Sequence, residues 1–113
     1  MHELSIAQSI VDTVREQAAA HAGRRVLRIG VRVGDISGVA IDSLEFCFDM
    51  TTKDTELEGA TLDLERIPVR FRCLACQHEF QPANFENVCP ACGSDVASMI
   101  AGDELALAFF ELE

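Results

Sequence analysis

The sequence contains no tryptophan, no tyrosine and no long apolar stretch. Its unbroken apolar stretches are a few residues long, far short of the roughly 20 that span a bilayer, so we expect no transmembrane helix. The chain is nevertheless 49% apolar and 25% charged, which is the balance of a folded globular protein and not of a disordered one. Its 113 residues are enough for one compact unit with a modest core.

Basic residues are also scarce. Nine lysines and arginines against nineteen aspartates and glutamates give a formal net charge of −10. Residues 73–113 contain no lysine or arginine at all, and their acids are Glu79, Glu86, Asp95, Asp103, Glu104, Glu111 and Glu113. Because proteins bind nucleic acid by neutralising its phosphates with cations, this charge distribution excludes DNA and RNA as partners. An anionic membrane would repel it in the same way, so we expect no membrane partner.

Signals for secretion and for catalysis are missing as well. The segment Met1–Ser5 has neither the basic nor the apolar region of a signal peptide, so we expect a cytoplasmic protein. The chain has only three histidines, no plausible Ser-His-Asp combination and no phosphate-binding glycine loop. We therefore expect a protein that is not an enzyme.

The apolar pattern predicts an α+β fold. Helices are predicted over 4–22 and 41–53, and strands over 26–33, 60–69 and 104–112. Ser5 and Gln8 have the form of a capping box, which predicts that the first helix begins at Ser5. Gly23 suits the left-handed position that follows a helix.

We expect two helices packed on a small mixed β-sheet. Residues 1–69 would form this domain, and residues 98–113 would complete its sheet when the last strand rejoins it. Residues 70–97 would form an inserted, zinc-ribbon-like domain that holds a metal ion with four cysteines.

Four of the five cysteines form two C-x-x-C pairs, Cys73 with Cys76 and Cys89 with Cys92, separated by twelve residues. Each pair lets one tight turn aim two thiolates at one ion, and two such turns complete a tetrahedron. Zn(II) suits four sulfur ligands, and four protein ligands leave no open coordination position, so the site is structural. Zinc would supply much of the folding energy of a segment too short for its own core.

Other metals and roles stay open for these cysteines. An iron site of the rubredoxin type uses the same two turns. A redox dithiol needs only one C-x-x-C pair, and a nucleic-acid zinc ribbon conflicts with the negative charge. His78, two residues after Cys76, is either an exposed loop residue or a further contact of the metal site.

The amino terminus offers a second metal site. The amine of Met1, the amide nitrogen of His2 and the Nδ1 atom of His2 can form fused chelate rings in one plane. Three nitrogens in a plane favour Ni(II) or Cu(II). The amide or the carboxylate of Glu3 could supply a fourth ligand, as could a residue from elsewhere in the chain. The alternative is a frayed terminus that binds no metal.

Three motifs occur together in this chain. They are Met1-His2-Glu3-Leu4-Ser5-Ile6 at the start of the first helix, Gly34-Asp35-Ile36-Ser37-Gly38 after the first strand, and the two late C-x-x-C pairs. In combination they resemble the HypA/HybF family, the nickel metallochaperones of [NiFe]-hydrogenase maturation, and the resemblance runs nearly end to end.

The resemblance implies a set of ligands and partners. Ni(II) would be the transported cargo, held by Met1, His2 and Glu3. Zn(II) would be structural, held by Cys73, Cys76, Cys89 and Cys92. A GTPase of the HypB type would act with the chain, and the client would be the precursor of the hydrogenase large subunit, or in some organisms urease. The chain could act as a homodimer or as a monomer.

One family feature is absent. Some members place a histidine directly after a cysteine of the second pair, whereas Gly93 follows Cys92 here, so we do not expect histidines to replace cysteines at the zinc. The competing function is a zinc-stabilised module that binds only other proteins. Blocking the terminal amine would distinguish the two, because only the metallochaperone needs that amine for nickel.

The sequence also predicts roles for a few other residues. Cys47 is expected to be a buried apolar residue, and Asp42 is expected either to stabilise the start of the second helix or to contact a partner. The basic cluster is either a solvated strand face or a contact for an acidic partner, and it consists of Arg24, Arg25, Arg28 and Arg32.

Overall fold

The computed structural model describes residues 2–83 and 86–113. These form two α-helices, α1 (His2–Ala18) and α2 (Ile41–Thr52), and a short 3-10 helix at Ala19–His21. The strands are β1 (Val26–Gly34), β2 (Thr61–Ile67), β3 (Arg70–Cys73), β4 (Glu79–Phe80), β5 (Ala97–Ala101) and β6 (Leu105–Leu112). Among the described residues, no helix is long and apolar enough to cross a membrane.

The chain divides into two compact units. The first consists of the residues up to Arg32, Gly38–Glu65 and Ala106–Glu113, and it contains both α-helices. The second consists of Val33–Ser37 and Arg66–Leu105, and it contains the two cysteine pairs. Residues Ala97–Ala101 form a strand that pairs with β3 inside the second unit.

The first helix begins at His2, three residues before the predicted start. The expectation that Ser5 caps this helix is therefore wrong, because Ser5 lies within its first turn. The physical reason is a long-range contact: the carboxylate of Glu3 accepts a hydrogen bond from the amide of Ala40 at 3.3 Å, which holds the first turn. The helix ends at Ala18, and Gly23 has the expected left-handed conformation with a φ of +88°.

The first sheet has the strand order β2-β1-β6, so β1 is its central strand. Two ion pairs join β1 to β2, Arg28 with Asp63 and Arg32 with Glu65. The paired residues advance in the same direction along both strands, which makes the strands parallel. Both arginines are exposed as predicted, and each faces a carboxylate of its own sheet, which at these two positions favours a solvated strand face over a contact for an acidic partner.

The last strand returns to the sheet beside the first one, as predicted. The amide of Glu113 donates to the carbonyl of Arg25 at 2.8 Å, and Arg28 lies 3.8 Å from the carboxylate of Glu111. The residue numbers rise along one strand as they fall along the other, so β6 is antiparallel to β1. The predicted mixed sheet is thereby confirmed.

The core of the first unit comes from one face of each helix and from β1. The buried residues of α1 recur at helical spacing and include Ala7, Val11 and Val14, and β1 contributes Ile29 and Val31. The buried apolar side chains of α2 and of the segment after it are Leu44, Cys47, Phe48 and Leu57. Cys47 is thus a buried apolar residue, as expected.

The second unit contains a small antiparallel sheet with the order β4-β3-β5. In its centre Phe71 lies opposite both Phe80 and Met99. Its core is formed by Cys73, Phe80 and Cys89, with Phe71 and Ala97 packed against them. A core this small stabilises a fold weakly, so the unit depends on a further cross-link between its loops.

Candidate metal centres

The two C-x-x-C pairs form two tight turns with the same backbone pattern. The amide of Gln77 donates to the carbonyl of Cys73 at 2.9 Å, and the amide of Gly93 donates to the carbonyl of Cys89 at 2.8 Å. Each of these two cysteines also donates its own amide to the carbonyl five residues later, at 2.8 and 2.9 Å. The residue that ends each turn is left-handed, with φ of +69° at Gln77 and +79° at Gly93.

The turns bring the four predicted sulfur atoms together. All four lie within 4.8 Å of one another, with 3.5 Å between Cys73 and Cys92 and 3.7 Å between Cys76 and Cys89. Zinc–sulfur bonds of about 2.3 Å place the corners of a tetrahedron about 3.8 Å apart. The spacing therefore fits a single zinc ion at the centre of the four thiols, with Cys73 and Cys89 on the buried side.

The acidities of these thiols differ because of their hydrogen bonds. The amide of Cys76 bonds to the sulfur of Cys73 and lowers the pKa of that thiol to about 7. The amide of Ser94 acts in the same direction on Cys92, but the neighbouring sulfurs, first that of Cys73, raise the pKa of Cys92 to about 12. Four thiolates cannot form side by side without a cation, and a divalent metal replaces the protons that they would otherwise keep.

The ring of His78 lies outside this group of ligands. It stacks on the ring of Phe80, with centroids 6.3 Å apart and an angle of 8° between the planes. The backbone of His78 takes part in the first turn, since its carbonyl accepts the amide of Cys73. Within the part of the chain that the structure describes, the four cysteines are the one cluster of three or more potential side-chain ligands.

The predicted nickel residues lie at the start of α1, although Met1 is outside the described residues. The Nδ1 atom of His2 is 3.6 Å from the carboxylate of Glu3, and the His2 side chain is 61% exposed. The Glu3 side chain is only 13% exposed. Its hydrogen bond from the amide of Ala40, the residue before α2, lowers the pKa of Glu3.

The helix start also determines which backbone nitrogens are available. The first amides of an α-helix have no acceptor within the helix. Because α1 begins at His2, the amides of His2 and Glu3 belong to this group. A metal ion can therefore bind them without breaking a helical hydrogen bond.

One residue that contacts the start of α1, Ala40, cannot be identified from the sequence. Ala40 takes part through its backbone amide, a group that every residue except proline has, and it lies 37 positions from Glu3. Sequence patterns identify side chains with metal-binding chemistry, and so they identify His2, Glu3 and the cysteines but not Ala40.

Comparison with known proteins gives one consistent family. The family model described as hydrogenase/urease nickel incorporation, metallochaperone, hypA matches residues 1–112. The chain is 44% identical to the hydrogenase maturation factor HypA of Geobacter metallireducens and 42% identical to that of Geotalea uraniireducens, in both cases over 113 residues and the full length of both chains.

Solved structures agree with the fold described above. The solution structure of a HypA protein has a TM-score of 0.77 at 26% identity, covering 100% of this chain and 97% of the other. The solution structure of the Ni metallochaperone HypA from Helicobacter pylori has a TM-score of 0.66 at 23% identity, with 97% and 96% covered. The second similarity supports the α+β fold alone.

Proposed function

The chain belongs to the HypA family, and on this premise we propose that it is a nickel metallochaperone, not an enzyme, that serves the maturation of hydrogenase. It binds Ni(II) as cargo through Met1, His2 and Glu3. It binds structural Zn(II) through Cys73, Cys76, Cys89 and Cys92. The domain division that we propose follows these sites, with the nickel in the unit that contains α1 and α2 and the zinc in the unit that contains the two cysteine pairs.

The start of α1 at His2 is the observation that carries the nickel proposal. The amides of His2 and Glu3 have no helical partner, and the His2 ring is exposed beside them. Amide and imidazole nitrogens arranged in a plane suit the d⁸ ion Ni(II). Binding requires these nitrogens to lose protons, so nickel affinity falls as the pH decreases.

The two sites suit two different tasks. Nitrogen ligands at an exposed terminus can be replaced one at a time by those of a receiving protein, which favours delivery of the ion. Four thiolates in a closed tetrahedron leave no position for such exchange, which favours retention. Cu(II) binds nitrogen ligands more tightly than Ni(II), so selectivity for nickel depends on copper being scarce in the cell.

The proposed partners follow from family membership. They are a HypB-type GTPase and the precursor of the hydrogenase large subunit, with urease as a second client in some organisms. A cytoplasmic location is consistent with these partners. Because the net charge is −10, nucleic acid is not among the proposed partners, and neither is a membrane surface rich in anionic lipid.

The proposal is tested by titrating Ni(II) into untagged protein and into protein whose terminal amine has been acetylated, while zinc content is measured in parallel. We expect one tight nickel site per chain in the untagged protein. Acetylation should abolish this site and leave one zinc ion bound, and His2→Ala should have the same effect.

Equal nickel binding by untagged and acetylated protein, or binding by neither, would contradict the nickel proposal. The chain would then be a zinc-stabilised module that binds other proteins. Visible absorption of the purified protein tests the cysteine site separately, because an iron centre of the rubredoxin type is coloured and a zinc centre is not.

A further inference from the structure

Helix α2 has a second apolar stripe that faces away from the core. Its buried face is formed by Leu44, Cys47 and Phe48. On another face, Phe46 and Met50 lie one turn apart and are 64% and 51% exposed. Phe46 has the largest exposed fraction of any large apolar side chain in the described part of the chain.

Acidic residues surround this stripe. Asp42 lies one turn before Phe46 and Asp49 lies one turn after it, and both are exposed. Glu45, directly before Phe46 in the sequence, is exposed as well, and α2 itself contains no basic residue. An aromatic and a methionine side chain with a charged border resemble the centre and rim of a protein–protein interface.

The position of the stripe connects it to the proposed nickel site. The amide of Ala40, directly before α2, binds Glu3, the neighbour of His2. Phe46 is six residues further on, which corresponds to about 9 Å along a helix. A protein that covers the stripe would thus lie beside the terminus that carries the metal.

We propose that the exposed face of α2, centred on Phe46 and Met50 and bordered by Asp42, Glu45 and Asp49, is the docking surface for the protein that exchanges nickel with this chain. The proposal rests on the function proposed above. The partner surface has an apolar groove that receives Phe46, with lysine or arginine at its edges.

Charge distinguishes this partner from a second copy of the chain. In a symmetric dimer the same patch meets itself, so Asp42 and Asp49 of each copy would face acids of the other. With a net charge of −10 on each copy, such an arrangement is repelled. A basic partner is instead attracted, and its association becomes sensitive to salt.

The test uses the purified HypB-type GTPase as the first probe and the hydrogenase large-subunit precursor as the second. Binding to the full-length, zinc-loaded chain is followed by fluorescence anisotropy at low and high salt. We expect Phe46→Ser to weaken binding of at least one probe by tenfold or more, with Met50→Gln acting in the same direction. The double variant Glu45→Gln/Asp49→Asn should lower the association rate severalfold and reduce its salt dependence.

Two matched controls accompany these variants. Leu74→Ser replaces an apolar side chain that is 55% exposed in the second unit, and it should leave binding unchanged. Glu16→Gln removes an exposed acid from α1, and it should leave the association rate unchanged. Circular dichroism of each variant tests folding, and a variant that unfolds is replaced by Phe46→Gln, which retains helix propensity at an exposed position.

Three results would overturn the proposal. The first is equal affinity of wild type and Phe46→Ser for both probes, or no binding of either probe by wild type. The second is a loss of binding in Leu74→Ser but not in Phe46→Ser. The third is a wild-type dimer in sedimentation that Phe46→Ser dissociates.

Nickel titration of Phe46→Ser should match wild type. Because docking is measured without nickel, failure of the nickel site and failure of docking give separate results.

Discussion

The carboxylate of Glu3 accepts a hydrogen bond from the amide of Ala40, and this contact joins the start of one helix to the start of the other. Ala40 precedes α2 and its side chain provides no cap, so Glu3 supplies the negative charge that a helix start favours. The same carboxylate lies 3.6 Å from the Nδ1 atom of His2. One residue thus connects helix packing with the proposed nickel site.

Replacing Glu3 with glutamine should lower the thermal stability of the protein at neutral pH. The amide of Ala40 lowers the pKa of Glu3 below its ordinary value, so the ionised carboxylate stabilises the fold at pH values above the pKa of the unfolded chain. This contribution is lost as the pH falls through the lowered pKa of the folded state. The melting temperatures of wild type and Glu3→Gln should therefore differ at pH 7 and converge in acid.

Glu16→Gln provides the control for this measurement, since it removes an exposed negative charge from the same helix. Its melting temperature should stay close to that of wild type across the same pH range. A difference between wild type and Glu3→Gln that persisted unchanged in acid would show that the charge of Glu3 does not stabilise the contact with Ala40.

The elements with long apolar periodicity were predictable, and those that depend on distant partners were not. β1, α2 and β6 agree with prediction to within one residue at each end, because each has an apolar pattern of eight or more residues. The predicted start of α1 was wrong because the contact between Glu3 and Ala40 overrides the local capping signal at Ser5. The strands of the second sheet have two to five residues, too few for a periodic signal.

The cysteine cluster and the exposed face of α2 differ in the same way. The spacing of the cysteines determines the geometry of their turns, so the sequence predicts the cluster that the structure forms. The exposure of Phe46 has no such signal, since Phe46 and Phe48 are both aromatic and flank Cys47 in the sequence. Helix packing exposes the first and buries the second.

Replacing Cys73 with serine should abolish zinc binding, whereas replacing Cys47 with serine should not. Cys73 is fully buried among the four converging sulfurs and in the small core of the second unit, and Cys47 is equally buried in the first unit. Both substitutions introduce a hydroxyl into a buried position, but only the first removes a metal ligand. Zinc content after gel filtration should be one ion per chain for wild type and Cys47→Ser.

For Cys73→Ser we expect less than one-tenth of an ion per chain, because loss of a ligand opens a site whose metal and fold are coupled. Chelation of zinc from wild type should unfold the second unit in a hydrogen-exchange experiment and leave α1 and α2 protected. Retention of zinc by Cys73→Ser would contradict the four-sulfur site.

Replacing His78 with alanine should leave zinc stoichiometry unchanged. Its ring stacks on Phe80, outside the ligand group, and its role in the first turn is through the backbone carbonyl, which alanine also has. We expect one zinc ion per chain in both proteins, at pH 6 and at pH 7.5, measured by a colorimetric chelator after denaturation. Zinc loss by His78→Ala at either pH would identify the imidazole as a ligand.

Opposite substitutions in the two cysteine turns should have opposite effects on stability. Gln77 and Gly93 occupy equivalent left-handed positions, and this conformation costs a residue with a side chain about 1–2 kcal/mol. A Cβ atom at Gly93 would meet nothing within 4 Å, so Gly93→Ala introduces backbone strain of about 1–2 kcal/mol without a clash. The lower freedom of alanine in the unfolded chain offsets about 0.5–1 kcal/mol of this strain, for a net loss of about 0.5–1 kcal/mol. Gln77→Gly removes the same strain and loses about 0.5–1 kcal/mol to the greater freedom of glycine in the unfolded chain, for a net gain of about 0.5–1 kcal/mol. Denaturant unfolding of the zinc-loaded proteins measures both values, and a shift of the same sign for both variants would show that the two turns are not equivalent.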